Sequence, residues 1–203
     1  DKDRAKGLHS LLYQCPHCGV EHKMYSEGTE LWCEACGKRW EMTEYGEMRA
    51  IEGETEFSHI PDWFKWERAN VRKEVRDGTY RIEDDVRIDT MPNARGFIKQ
   101  GNGKFVQDCN GMTLTGVAYG KPFELKKEGC EQESVHIEYD YPYGGDVLDI
   151  TVPDDNYWVY PLTKRDVITK ISLATEEIFA YNKEKMQEKL HHETAQAETA
   201  KNK

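Results

Sequence analysis

Four of the six cysteines are placed to hold a metal ion. Cys15-Pro16-His17-Cys18-Gly19 and Cys33-Glu34-Ala35-Cys36-Gly37 are two Cys-x-x-Cys pairs, with fourteen residues between Cys18 and Cys33. Two pairs at this separation can present Cys15, Cys18, Cys33 and Cys36 to one tetrahedral ion, and zinc is the natural occupant because it accepts four thiolates without further geometric demand. Each pair is followed by a glycine, as a chain that turns around a bound sulfur requires. Between the pairs Val20, His22 and Met24 alternate, Ser26-Glu27-Gly28 turns and Thr29 to Trp32 returns, so the stretch reads as a rubredoxin-like zinc ribbon. Four sulfurs close the site, so the zinc is expected to be structural, with His17 outside the ligand set. A ribbon this short cannot bury an adequate core, so metal binding must supply its folding free energy, on the order of 10–16 kcal/mol.

The elements that must position this site occupy a chain of 203 residues with a formal net charge of −10. That length suits one domain and a small module. The acidic balance argues against a general nucleic-acid binder, and the ribbon has no basic surplus: Lys23, Lys38 and Arg39 are matched by Glu21, Glu27, Glu30 and Glu34. No apolar run approaches the ~20 residues of a membrane span, and no signal peptide is recognisable. Cysteines in metal spacing point to a reducing compartment, so the cytoplasm is expected. Cys109 and Cys130 read as two unrelated thiols, with a disulfide as the alternative. The chain opens on Asp1-Lys2-Asp3-Arg4 without methionine and reads as a piece of a longer protein.

Residues 1–10 read as a polar linker and Leu11 to Tyr13 as a short strand. Arg39 to Met42 adds a third ribbon strand, and Met48 to Ile51 is a short strand in an acidic connection. A helix opens at Ser58-His59-Ile60-Pro61-Asp62 and runs to Asp77, where Gly78 stops it. Trp63, Phe64, Trp66, Val71 and Val75 form its apolar side, while Arg68, Arg72 and Arg76 form a basic stripe. Trp63, Trp66 and the three arginines are therefore the candidate contact with an anionic membrane or with another domain. The favoured reading is a packing helix whose arginines are solvated or paired with Glu67 and Glu74, which leaves membrane contact weak and salt-sensitive at the inner face of the cell membrane.

From Thr79 the period becomes two. Tyr80, Ile82, Val86 and Ile88 share a face interrupted by Asp84. Met91 to Gly96 turns, Phe97 to Lys99 is a strand, Gly101-Asn102-Gly103 turns, and Lys104 to Gln107 follows. Asn110-Gly111 is a hairpin turn. Strands follow at Met112 to Ala118, Phe123 to Lys126, Val135 to Asp140, Asp146 to Thr151 and Asn156 to Tyr160, with a turn at Tyr143-Gly144-Gly145. The chain ends in a helix with Ile171, Ala174, Ile178 and Tyr181 on one face, and periodicity leaves Val167 to Ser172 open between strand and helix. The expected class is α+β, mainly β: a ribbon over residues 9–43, a linker and helix over 44–78, an antiparallel pleckstrin-homology-like barrel or sandwich with its C-terminal helix over 79–182, and a charged helical or disordered tail over 183–203, disordered from His191. No catalytic fingerprint occurs, and His136, Glu138 and Asp140 read as a solvated outer face.

Several phrases together resemble a known family: the Cys-Pro-x-Cys-Gly knuckle, Leu31-Trp32-Cys33-Glu34-Ala35-Cys36-Gly37-Lys38-Arg39-Trp40, the run from Glu52 to Trp63, and Lys170-Ile171-Ser172-Leu173-Ala174-Thr175-Glu176-Glu177. They are similar to the region that follows the acyltransferase domain in some clostridial 1-acyl-sn-glycerol-3-phosphate acyltransferases, over about residues 9–182. The family's catalytic motif is a histidine followed five positions on by an aspartate, and none of the seven histidines here has that partner. The resemblance therefore implies a non-catalytic accessory or regulatory module of a phospholipid-synthesis enzyme, with the upstream acyltransferase domain as its partner in the same chain. A protein-interaction adaptor of another bacterial enzyme is the alternative.

Overall fold

The computed structural model describes residues 1–92, 96–142 and 144–201, with the side chains of 192–201 excepted. It is an α+β structure with two antiparallel sheets. The smaller sheet follows a short helix, α1 (Leu8–Leu11), and comprises β1 (Met24–Glu27), β2 (Glu30–Cys33), β3 (Arg39–Met42) and β4 (Met48–Ala50), in that spatial order. Alternation turns Met24, Leu31, Trp40 and Met48 inward, and all four are fully buried. The expected strand at Leu11 to Tyr13 is instead the end of α1 and a single bridge from Gln14 to Glu21. The leading residues are not a linker either: Ala5 is buried and its N–H donates to the Gly28 carbonyl.

Helix α2 (Ile60–Arg76) joins the two sheets. Pro61 and Asp62 lie in its first turn, where a missing N–H and a negative charge are tolerated or favoured, and Gly78 at φ 72 ends it. Its buried residues are Trp63, Glu67, Val71 and Val75, one every four positions and so on one face. Trp63 packs edge-on against Trp40 in the core of the smaller sheet, with ring centroids 5.0 Å apart, whereas Val71 and Val75 belong to the core of the larger one.

The larger sheet contains β5 (Arg81–Thr90), β6 (Ile98–Asp108), β7 (Gly111–Ala118), β8 (Lys121–Glu128), β9 (His136–Tyr141), β10 (Gly145–Val152) and β11 (Asp155–Pro161). Their spatial order is β8-β7-β6-β5-β11-β10-β9, so the first and last strands pair and the two edges are β8 and β9. The sheet curls: Phe123 on β8 stacks on Tyr157 of β11 at 5.0 Å, and Lys127 Nζ donates to the Thr151 carbonyl at 2.9 Å. No ladder joins β8 to β9 among the described residues, so the closed barrel expected from the strand count is not found.

Two local expectations fail here. Gly101-Asn102-Gly103 is not a turn but the middle of β6, where Gly103 lies opposite Gly116 and a Cβ would collide with Ile88 and the Thr115 carbonyl. Asp84 does not interrupt its face. It points inward with Ile82, Val86 and Ile88, and its oxygens accept from Thr163 N (3.0 Å), Thr163 Oγ1 (2.5 Å) and Lys164 N (2.9 Å). The alternation is intact, and the carboxylate fixes the loop that enters the last helix. Of the expected turns at Met91 to Gly96 and Tyr143 to Gly145, residues 93–95 and 143 lie outside the described residues.

That helix, α3 (Ile168–Lys201), makes Ile168 to Ser172 helical, with Val167 just ahead of its first turn, and buries Ile168, Ile171, Ala174 and Ile178 in the larger core. Its backbone continues past His191 to Lys201, where a disordered tail was expected; residues 202–203 lie outside the described residues. The two sheets dock through Tyr13, which is fully buried among the larger sheet's core residues. Lys170 adds charge to the joint: its Nζ reaches both oxygens of Glu21 (2.9 and 2.8 Å) and Glu74 (2.9 Å), tying β1's approach, α2 and α3 together.

Candidate metal centre

Two near-identical turns build the site. In the first, Cys15 N–H donates to Val20 O at 2.9 Å and Gly19 N–H to Cys15 O at 2.8 Å. In the second, Cys33 N–H donates to Lys38 O at 2.9 Å and Gly37 N–H to Cys33 O at 2.9 Å. Gly19 and Gly37 take φ of 76° and 77°, a region that glycine enters without steric cost. The same offsets and the same backbone geometry recur because each loop performs one task, folding its amides back around a pair of sulfurs.

The loops bring Cys15, Cys18, Cys33 and Cys36 together, with all four sulfurs within 4.8 Å of one another. Cys15 Sγ lies 3.8 Å from Cys36 Sγ, and Cys18 Sγ lies 3.8 Å from Cys33 Sγ. All six cysteines are free thiols, and these separations are nearly twice the ~2.05 Å of a disulfide. A tetrahedral ion with metal–sulfur bonds of about 2.3 Å spaces its sulfurs about 3.8 Å apart, so the four groups fit one ion. Burial pushes the Cys15 and Cys33 thiols up. Burial also opposes ionisation of Cys18, but the Val20 N–H and the neighbouring cysteines outweigh it and hold that thiol below its ordinary value. A cation that displaces the protons from the two buried thiols would therefore be met by one cysteine already disposed to ionise.

His17 is exposed and turns its Nδ1 to Glu56 Oε1 at 3.1 Å, away from the sulfur set. Lys38 Nζ donates to the carbonyls of Glu52 (2.7 Å) and Glu54 (2.9 Å), holding that loop against the second knuckle. The four positions of a tetrahedral ion are all filled by protein sulfur, so such an ion can organise the chain but offers no position to a substrate.

The other candidate residues are placed differently. Trp63 is fully buried and donates its indole N–H to Gln14 O at 3.0 Å, while Trp66 is half-buried beside Phe57. The basic stripe is matched by acids on α3, not by Glu67 and Glu74 as expected from the helix alone. Arg68 meets Glu176 at 2.6 Å, Arg72 meets Glu177 at 2.7 Å and Arg76 meets Glu184 at 2.8 Å. These partners lie more than a hundred residues away, which is why the sequence did not show them. His136 pairs with Glu138 at 3.3 Å, and Asp140 adopts φ 48°, leaving the strand alternation assigned to it.

Glu67, expected to pair with the arginines on the helix surface, faces the interior instead. It is completely buried, accepts the Gln14 N–H at 2.8 Å through Oε1 and leaves Oε2 without a partner. Burial, reinforced by Glu21, pushes its carboxyl well above the ordinary range despite the N–H bonds that favour ionisation. The signal was present in the four-residue series Trp63, Glu67, Val71, Val75. No protein-family model, curated protein or solved structure matches this chain.

Proposed function

We propose that this chain is a non-catalytic, zinc-dependent accessory module of a bacterial 1-acyl-sn-glycerol-3-phosphate acyltransferase, working with an acyltransferase domain upstream. The observation that carries the non-catalytic part is the closed set of four sulfurs. An all-sulfur tetrahedral donor set favours zinc among the common divalent ions. The acyltransferase part rests on the phrases that resemble that family alone; the absence of any histidine with an aspartate five positions on supports the non-catalytic part, since acyl transfer needs a histidine held by a carboxylate to take the acceptor's proton. A pleckstrin-homology-like, partly open barrel is the finer reading of the larger sheet. Its support is the pairing of first and last strands, a single gap between β8 and β9, and a C-terminal helix on the core. The arginines of α2 are occupied by α3, so lipid attraction through that stripe is weak in this reading.

Elemental analysis of the purified chain, followed by an acyl-transfer assay with lysophosphatidic acid as acceptor, tests the proposal. About one zinc per chain and no transfer are expected, with transfer restored when the upstream coding sequence, carrying a His-x-x-x-x-Asp motif, is included. Transfer by residues 1–203 alone, or an upstream sequence lacking that motif, would overturn the reading.

A further inference from the structure

Where the ribbon meets the larger sheet, a cleft of about 510 Å³ opens between Glu21 to Lys23, the start of β5, and the loop that leads into α3. Five cations line it: Lys23, Arg81, Lys164, Arg165 and Lys170. Only Glu21 and Glu34 oppose them in the lining. In a chain of net charge −10 this is a local reversal of sign. Three of the cations are committed internally: Lys170 to Glu21 and Glu74, Arg165 to Glu34 and Asp166, Arg81 to Glu83 and Asp108. Lys23 and Lys164 form no ion pair among the described residues, and both face this cleft.

We propose that this cleft binds a phosphate-bearing anion, a free phosphomonoester or the same group on a lipid, with Lys23 and Lys164 as its principal contacts. The loop carrying Lys164 is prepared for that task. Buried Asp84 accepts three hydrogen bonds from Thr163 and Lys164, so the backbone under the ammonium is fixed before any ligand arrives. Arg165 is held in place by Met24 O and Glu34, both at 3.1 Å, which joins that loop to the ribbon. The imidazole of His22, another lining residue, reports the local field: burial first, then Lys170 and Lys164, bring it down to about 4 against the opposing pull of Asp166. It is neutral at physiological pH, so the positive charge of the cleft comes from the lysines and arginines alone. The volume exceeds that of phosphate alone and suits a phosphorylated small molecule or headgroup. Nothing in this inference depends on the acyltransferase reading.

The test uses the zinc-loaded full chain at low ionic strength. Amide shifts are followed by NMR during titration with inorganic phosphate and with glycerol 3-phosphate. Sedimentation with phosphatidylcholine vesicles, with and without phosphatidic acid, is run in parallel. Shifts concentrated at residues 22–23 and 163–165 are expected, and Lys23→Gln combined with Lys164→Gln should weaken binding about tenfold or more. Lys121→Gln on β8 removes the same kind of charge elsewhere and should leave binding unchanged. Binding of the soluble phosphates without sedimentation assigns a soluble ligand, whereas sedimentation that needs phosphatidic acid and is lost in the double variant assigns a membrane-borne one. Equal affinity in the double variant and Lys121→Gln, shifts reproduced by sodium chloride at matched ionic strength, or neither form binding, would overturn the proposal.

Discussion

The two sheets of this chain are held by different forces. Among the described residues, the smaller one gathers eight buried side chains into its core, and two of these are Cys15 and Cys33 of the candidate metal site while a third, Trp63, is lent by α2. The larger one gathers twenty, drawn from β5, β6, β7, β10 and β11, from α2 and α3, and from the connections beside them. A core of eight with strands of three or four residues cannot offset the chain entropy of ordering that segment, and a metal ion can. Twenty buried groups shared between long, paired strands and two helices can do so without one. Stability here is divided by chemistry as well as by sequence. The joint between the two, with Tyr13 on one side and Lys170 on the other, must carry whatever coupling exists.

The largest test breaks the metal-held half. Cys33→Ser, or chelation, removes a site worth on the order of 10–16 kcal/mol in comparable small sites. Amide protection over residues 15–50 should collapse while β5 to β11 stay protected, with some loss near Tyr13. Simultaneous loss of protection in both sheets would show that the larger core does not stand alone. The converse test is Phe105→Ala, at a fully enclosed site on β6. It should cost about 3–5 kcal/mol, mostly in the larger sheet. Thiol reactivity of the four ligating cysteines should stay low at denaturant concentrations that have already loosened β6. Release of metal at the same midpoint would mean a single cooperative unit.

What could be read in advance follows the same division. The cysteine cluster was legible because metal spacing is a local code: within each pair the cysteines and their glycine lie a few residues apart, and no distant partner alters the turn. The strands of the larger sheet were legible where alternation runs unbroken, as at Met112 to Ala118, which lies within β7 and turns Met112, Leu114 and Ala118 inward. They were misread where a residue serves a tertiary need that mimics a local signal. Gly103 looks like a turn residue, but its missing side chain makes room for Ile88 from the neighbouring strand. Asp84 looks like a break in the apolar face, but it terminates the hydrogen bonds of a loop nearly eighty residues on. The partners of the arginine stripe sit on α3 and carry no trace in α2 itself.

The smallest expected effect lies at the joint between the two sheets. Glu67 lies in the middle of α2, between the tryptophan that serves the smaller core and the valines that serve the larger. Its carboxyl is enclosed, faces Tyr13 and Glu21, and is pushed well above the ordinary range by burial. In the unfolded chain the same group ionises near pH ~4.3. Above that pH the folded state keeps a proton that the unfolded state has released, so this residue makes stability fall as pH rises, until the carboxyl ionises within the fold. Below about pH 4.3 both states are protonated and the effect vanishes. Glu67→Gln keeps the acceptor for the Gln14 N–H and removes the titration. With the same metal loading as the parent, the variant should therefore be more stable at pH 7, by about 1 kcal/mol, and the difference should shrink toward acid. Denaturant midpoints between pH 5.5 and 8 measure it. The sign of the slope decides the matter: a gap that widens with pH places a protonated carboxyl at the joint, while a flat gap would mean that Glu67 is ionised throughout and that the joint tolerates its charge.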